Sequence, residues 1–378
     1  MTPVGEHWDR SLRQLALEAI QLARADAGGL RPQALFVGNM LALALSGQTQ
    51  LGALLADFAG LRGIEAASFE AAGASGGVAL RQAYLAVASG LLDVALVVGV
   101  EKVTDQVGSV VGSALAMTAD ADFEAVQGMT PVAQAALLMR RYMHEFDAPA
   151  GAFAGFSLTA HANAVTNPLA MYRRAIRLED YAAADMLSEP VALYDAAPIA
   201  DGAAAVVLAR ADALPEAHDR PSVRIAGSAV AINAVALHDQ SDPLGLTAAE
   251  ESSARAYAQA GIGPDDIDLF EPHDLFSVFA ALSLEAAGFA DRGQGWRLAQ
   301  DGAISRQGRI PLTTFGGSKA RGDTGGANGV YQAAEATLQL QGRAGDNQVP
   351  GARSAMIQCL GGIGATACTH ILTVERAG

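Results

Sequence analysis

Two distant stretches decide the fold. The first is Ser11-Leu-Arg-Gln-Leu-Ala-Leu-Glu-Ala-Ile-Gln-Leu-Ala-Arg-Ala-Asp-Ala-Gly28, which continues through Pro32 into Ala34-Leu-Phe-Val37. The second is Thr247-Ala-Ala-Glu-Glu-Ser-Ser-Ala-Arg-Ala-Tyr-Ala-Gln-Ala-Gly261, which continues through Pro264 into Ile267-Asp-Leu-Phe270. Each opens with capping-box spacing, Ser11 with Gln14 and Thr247 with Glu250, where two side chains satisfy the unpaired backbone N–H groups of a helix start. In the first, Leu12, Leu15, Ala16, Ala19, Ile20 and Ala23 follow at helical period. Ala27-Gly28 and Ala260-Gly261 stop the two helices, and after a proline comes a short apolar run read as a buried strand.

Working outward, the correspondence continues. Gly76-Gly77 opens a helix that runs to Gly90 and leads into the strand Val94 to Val98; Gly325-Gly326 opens another through Tyr331 and Ala336, leading to a strand at Ala355 to Cys359. Each half closes on one more strand, Ala203 to Ala209 and Ala367 to Val374. The chain is therefore expected to be α/β, a duplicated βαβαβ architecture. Lys102 to Pro190 interrupts the first half and is long enough to form a lid over a ligand. The expected units are 1–101 with 191–220, the inserted 102–190, and 221–378.

Composition narrows the function. With 378 residues, 51% hydrophobic, the chain buries a large core. A net charge of −15 repels polyanions, so nucleic acid is excluded as a general partner and any anionic ligand needs a local pocket. Arg173, Arg174 and Arg177 form one basic cluster, which base rates favour as a solvated helix face answering Glu179 and Asp180 over an anion site. No apolar run approaches the length of a membrane span, and the start Met1-Thr-Pro-Val-Gly-Glu6 is no secretory leader. Cys359 and Cys368 build no disulfide framework and no Cys/His cluster has metal-ligand spacing; a reducing cytoplasm is the expected setting.

Five segments carry a resemblance. They are Glu70-Ala-Ala-Gly-Ala-Ser-Gly-Gly77, Asp195-Ala-Ala-Pro-Ile-Ala-Asp-Gly-Ala203, His273-Asp-Leu-Phe276, Gly316-Gly-Ser-Lys-Ala-Arg-Gly-Asp-Thr-Gly-Gly-Ala-Asn-Gly329 and Cys359-Leu-Gly-Gly-Ile-Gly364. In order and spacing they resemble the nucleophile loop, the strand entry after the lid, the oxyanion-hole segment and the last two active-site loops of the thiolase superfamily, especially its archaeal and sterol-carrier-protein-type branch. The resemblance covers nearly the whole chain. It implies a thiolase fold in five α-β-α-β-α layers, a homodimer or dimer of dimers, coenzyme A thioesters as substrate or ligand with no covalently bound cofactor, and a small OB-fold acyl-CoA-binding partner. Candidate coenzyme contacts are Ser75, Gly316, Gly317 and Lys319, with Arg173 and Arg174. The resemblance also implies a strand ahead of Met1-Thr-Pro-Val-Gly5, expected at the sheet centre; its second-half counterpart is Val223 to Ala226, and the first half is expected to lack it.

The departures bear on function. Thiolases place a cysteine at a helix N-terminus, where the dipole favours the thiolate that accepts an acyl group. By the resemblance, Gly73 stands at that position, and Asp323 stands where a histidine deprotonates the cysteine. His273 matches the donor to the thioester oxygen and Cys359 the group that moves a proton at the adjacent carbon; without the resemblance, each reads as a structural residue. Ser75 is the nearest hydroxyl to the lost thiol but has no evident base, and its simplest role is capping the Gly76-Gly77 helix. Asp323 reads as a base raised by burial or as a cap for the Gly325 helix. Three functions follow: non-thiolytic acyl-CoA chemistry of the aldol or retro-aldol type, a catalytically silent acyl-CoA-binding subunit, or acetyl-CoA acetyltransferase activity by an unrecognised route.

Overall fold

Ser11 begins the first helix as expected: its hydroxyl accepts from Gln14 N and its backbone N–H donates to Gln14 Oε1. The structure is a computed structural model, which describes residues 1–214 and 220–375. In chain order the helices are α1 (Leu12–Asp26), α2 (Ala42–Ser46), α3 (Leu51–Phe58), α4 (Ser75–Ala88), α5 (Gly108–Ala116), α6 (Pro131–Glu145), α7 (Ala154–Ala164), α8 (Leu178–Ala182), α9 (Thr247–Ala260), α10 (Ser277–Ala286), α11 (Gly295–Gln300) and α12 (Asn328–Leu340). The strands are β1 (Ala34–Gly38), β2 (Glu65–Phe69), β3 (Val94–Glu101), β4 (Met186–Ser188), β5 (Val191–Ala192), β6 (Gly202–Ala209), β7 (Val223–Ile232), β8 (Leu269–Glu271), β9 (Ser354–Gly361) and β10 (Thr366–Val374).

The first main sheet has the order β2-β1-β3-β6 and the second β7-β10-β9-β8. Within each, the last strand runs antiparallel to its inner neighbour, β6 to β3 and β10 to β9. β1 lies between β2 and β3; β8 lies beside β9 with Leu312 bridged to Phe270 on its other side, so the two strands that follow Pro32 and Pro264 occupy equivalent positions. Buried alkyl side chains on both faces of the sheets place α1 and α3 outside the first, α9 and α10 outside the second, and α4 and α12 between them. The layers run α-β-α-β-α, as the resemblance implies. Within 102–190 lie α5 to α8 and the first strand of the β4–β5 hairpin. Among the described residues, no helix is long and apolar enough to cross a membrane.

Two expectations are corrected. The Thr247–Glu250 box does not form: Leu246, at φ 43°, takes the N-cap place, and Thr247 is already helical, so its hydroxyl lies past the position from which a cap can bond. The strand matched to Val223 to Ala226 is not central, because β7 is an antiparallel edge strand beside β10. In the first half the corresponding edge carries the segment Thr2 to Gly5: Thr2 N donates to Ala203 O at 2.8 Å, and Gly5 bridges Asp201.

Candidate active site

The loop from β2 to α4 carries Gly73. Ala72, just before it, adopts the left-handed conformation at φ 49°, which L-residues adopt only under constraint. The constraint is Ser75. Its Oγ accepts from Ala71 N at 2.9 Å and donates to Ala72 O at 2.6 Å, while the Glu70 carboxylate accepts from Ala72 N. Ser75 is therefore no helix cap, since Ala74 holds the N-cap place without a side-chain bond; it ties the loop instead. Its hydroxyl proton goes to a carbonyl, which leaves no base to activate it as a nucleophile.

Gly73 has no space for a side chain. A Cβ there would lie 2.6 Å from His273 Cε1 and 2.6 Å from Leu360 O. His273 follows β8 by one residue, Pro272, and lays its ring over Gly73; burial pushes its pKa down to about 4, so the ring is neutral near pH 7. Its Nδ1 is buried with no hydrogen-bond partner among the described residues, while Nε2 is the ring nitrogen nearer Gly73, 3.3 Å from the same Cβ position.

Cys359 sits on β9, one residue before Leu360. Burial pushes its thiol up to about 12, so it holds its proton. That proton is donated to Gln332 Oε1 at 3.0 Å, and Gln332 Nε2 donates to the carbonyls of Glu271 and Pro272, immediately before His273. One α12 amide thus fixes both the thiol and the histidine segment. Glycines let α4 and α12 approach the sulfur: a Cβ at Gly77 would lie 2.9 Å from Sγ and one at Gly329 2.7 Å.

The loop 316–329 contributes the charges. Arg321, fully buried, pairs with Glu335 at 2.8 Å, donates to Asn328 Oδ1, and is the cation whose field reaches His273, Cys359 and Asp323 alike. Asp323 is buried, and desolvation raises its pKa; Oδ1 accepts from Gly325 N at 3.0 Å and from Asn328 Nδ2. The carboxylate therefore anchors the start of α12. Lys319 is also interior, its ammonium bonded to Asp195 O at 2.6 Å, and the Asp274 carboxylate accepts from Ser318 N where Gly317 leaves room for it.

The structure brings Gly73, His273 and the Cys359 strand together and sets Asp323 in the adjoining loop. Of the candidate coenzyme contacts, Ser75, Gly316, Gly317 and Lys319 are buried within these loops, as His273 and Cys359 are. Arg173 and Arg174 lie exposed in an irregular segment and make no ion pair among the described residues, whereas Arg177 is paired with Asp180. Sequence reasoning missed Gln332, Arg321 and Glu335, which sit in the matched loop or the helix after it. Among the described residues, no group of three or more His, Cys, Asp and Glu is placed to hold a metal ion.

Comparison with known proteins bears on the family and the fold. The family model of the thiolase N-terminal domain matches residues 1–212, and that of the thiolase C-terminal domain-like family matches residues 229–374. An acetyl-CoA acetyltransferase of Methanothermobacter thermautotrophicus is 41% identical over 98% of this chain and 97% of its own. A 17-hydroxy-3-oxo-4-pregnene-20-carboxyl-CoA lyase of Mycobacterium tuberculosis is 30% identical over 90% of this chain and 89% of its own. Among solved structures, an Ltp2-ChsH2(DUF35) aldolase superposes with a TM-score of 0.84 at 26% identity, covering 99% of this chain and 96% of that one.

Proposed function

The chain belongs to the thiolase family, and we propose that it binds acyl-CoA thioesters and makes or breaks a carbon–carbon bond through a thioester enolate, with no acyl group carried on a cysteine. In this reading Gly73 replaces the acyl-accepting cysteine and Asp323 the histidine that would activate it. One observation carries it: the volume of a side chain at 73 is filled by His273 Cε1 and Leu360 O, each 2.6 Å from where Cβ would be.

The remaining groups suit enolate chemistry. In the cleavage direction Asp323 takes the proton of a β-hydroxyl, and the Cα–Cβ bond breaks. The β-carbon departs as a carbonyl compound while the bonding pair passes into the thioester as an enolate. Neutral His273 donates Nε2–H to the enolate oxygen, where a fixed donor in a water-poor site is strongest. Cys359, a thiol because burial holds its pKa high, delivers a proton to Cα, and Asp323 returns its proton to the thiolate to close the cycle. Exposed Arg173 and Arg174 supply the charge for the coenzyme phosphates. The aldolase neighbour named with a DUF35 component supports a small acyl-CoA-binding partner of OB-fold type for this chain, beside a homodimer or dimer of dimers.

A second reading, a catalytically silent subunit, is favoured by the engagement of the Asp323 carboxylate with Asn328 and Gly325. One experiment separates them: incubation with acyl-CoA in deuterated water, followed by mass analysis of thioester and intact protein. Exchange at the α-carbon with no mass added to the protein is expected. A stable acyl adduct on Ser75 or Cys359 restores the acyltransferase reading, and coenzyme binding without exchange leaves the silent subunit.

A further inference from the structure

A buried carboxylate from the first half of the chain holds the loop that carries Asp323. Glu101 ends β3 and is fully buried. Its Oε1 accepts from Asn39 Nδ2 at 2.7 Å and Leu41 N at 3.0 Å, and its Oε2 accepts from Met40 N at 2.9 Å and Gly326 N at 3.0 Å. Among the described residues no cation pairs with it, since Lys102, next along the chain, turns to Asp105 and Asp201. All four partners are N–H groups and none offers an acceptor to a carboxyl proton, so the arrangement is built for the charged form, although burial pushes the pKa up to about 7. Such a charge is tolerable in the interior only while its oxygens stay bonded, so the bond to Gly326 is not given up cheaply.

We propose that Glu101 is a positioning residue of the candidate site: by gripping the turn of Gly325 and Gly326 it aims the Asp323 carboxylate at the substrate. The inference rests on the enolate reading above and adds a residue to it. The backbone of Asp323 is fixed without Glu101, because Asp323 N donates to Pro198 O and Ala200 N donates to Asp323 O, both at 2.8 Å. Its side chain is not. Asp323 Oδ1 accepts from Gly325 N and Asn328 Nδ2, and the direction of Gly325 N follows the turn that Glu101 grips one residue later. Two buried carboxylates thus share consecutive N–H groups, Asp323 at Gly325 and Glu101 at Gly326. A Cβ at Gly325 would lie 3.1 Å from Glu101 Oε2, so the turn rests directly on that oxygen. Misplacing a reacting group by about 1 Å costs up to about a hundredfold in rate, so loosening this grip acts on chemistry before it acts on binding.

Two variants of the whole chain test this. Glu101→Met removes the acceptor, and Gly326→Ala parts the turn from the other side, since its Cβ would lie 2.6 Å from Met40 N; it decides the matter alone if Glu101→Met does not fold. Each is compared with the natural chain at about pH 8, where the carboxylate is ionised, by α-carbon exchange of acetyl-CoA in deuterated water and by hydrogen exchange of glycine amides. The exchange rate at saturating acetyl-CoA is expected to fall about tenfold or more with the half-saturating concentration unchanged. Protection of the Gly325 amide, the donor to Asp323, should fall about tenfold, the worth of one bond to a charged group, while that of Gly227 in β7 stays. An exchange rate unchanged in a folded variant overturns the proposal. So does a loss shared equally by Gly227 or by acetyl-CoA affinity, which makes Glu101 a general support of the fold. If the natural chain binds acetyl-CoA without exchange, the enolate reading falls, and the Gly325 amide then decides the grip: selective loss of protection upholds it and unchanged protection overturns it.

Discussion

Adding a single methyl group at Gly73 is the most direct test of why this site carries no acyl-cysteine. The Gly73→Ala Cβ meets two atoms at 2.6 Å, and they differ in how they can yield. His273 can swing its ring, but Leu360 O is a backbone carbonyl on β9 and moves only with the strand. Overpacking of this kind costs about 1–3 kcal/mol. For a chain of this size each kcal/mol lowers the melting temperature by about 2 °C or less, so Gly73→Ala should melt a few degrees below the natural protein in a thermal scan. His273→Ala in the same background relieves only the ring contact, so the pair should be non-additive by about 0.5–1.5 kcal/mol without full recovery. Gly73→Cys should show no thiolysis of acetoacetyl-CoA, and adding Asp323→His should not restore it, because the sulfur is displaced from the helix start before any base matters. If Gly73→Ala melts within a degree of the natural chain, the close packing is wrong and with it the steric reason for a cysteine-free mechanism.

Other consequences follow from the buried charges and amides. His273 is held at about 4 against an unfolded value of about 6.5, so its stabilising contribution is complete above about pH 6.5 and is lost as pH falls to about 4; urea melts should show His273→Asn gaining up to about 3 kcal/mol on the natural chain across that window. Arg321→Met strands Glu335 and should cost about 3–5 kcal/mol by chemical denaturation, most of it regained when Glu335→Leu is added. Gln332→Leu leaves the Glu271 and Pro272 carbonyls without their shared donor, which should cost about 1–3 kcal/mol by denaturant titration and slow α-carbon exchange by freeing the Cys359 thiol. Arg173→Glu with Arg174→Glu should weaken CoA binding at least about tenfold at low salt, with the difference shrinking as ionic strength rises.

The fold was legible because its signals are local and repeated. Helix stops at Ala27 and Gly261, prolines at 32 and 264 and short apolar strands all reappear in the structure, since each depends on a residue's own backbone preferences or on burial within one strand. Thr247 failed for an equally local reason: capping geometry turns on a single residue's φ, and Leu246 in the left-handed region moved the helix start by one position. The sheet-edge place of β7 was not legible, because strand order is a long-range property that no window of sequence contains.

The site was legible only where the loop motifs resemble a known family, and the reason lies in α12. Asn328, Gln332, Glu335 and Gln339 recur at the spacing of one helix face, a pattern that ordinarily marks a solvated stripe. Here all four are buried, because α12 lies between two sheets and turns only the side of Ala334, Thr337 and Leu338 partly to solvent. The stripe instead serves the interior: Asn328 holds Asp323, Gln332 holds Cys359 and the carbonyls before His273, and Glu335 neutralises Arg321. Burying such a stripe is tolerable only if each member is bonded, since an unpaired buried polar group costs more than its bond returns. The central helix is therefore the element that keeps the Cys359 thiol, the His273 segment and the Asp323 loop in register, and its polar face is explained by the site and not by water.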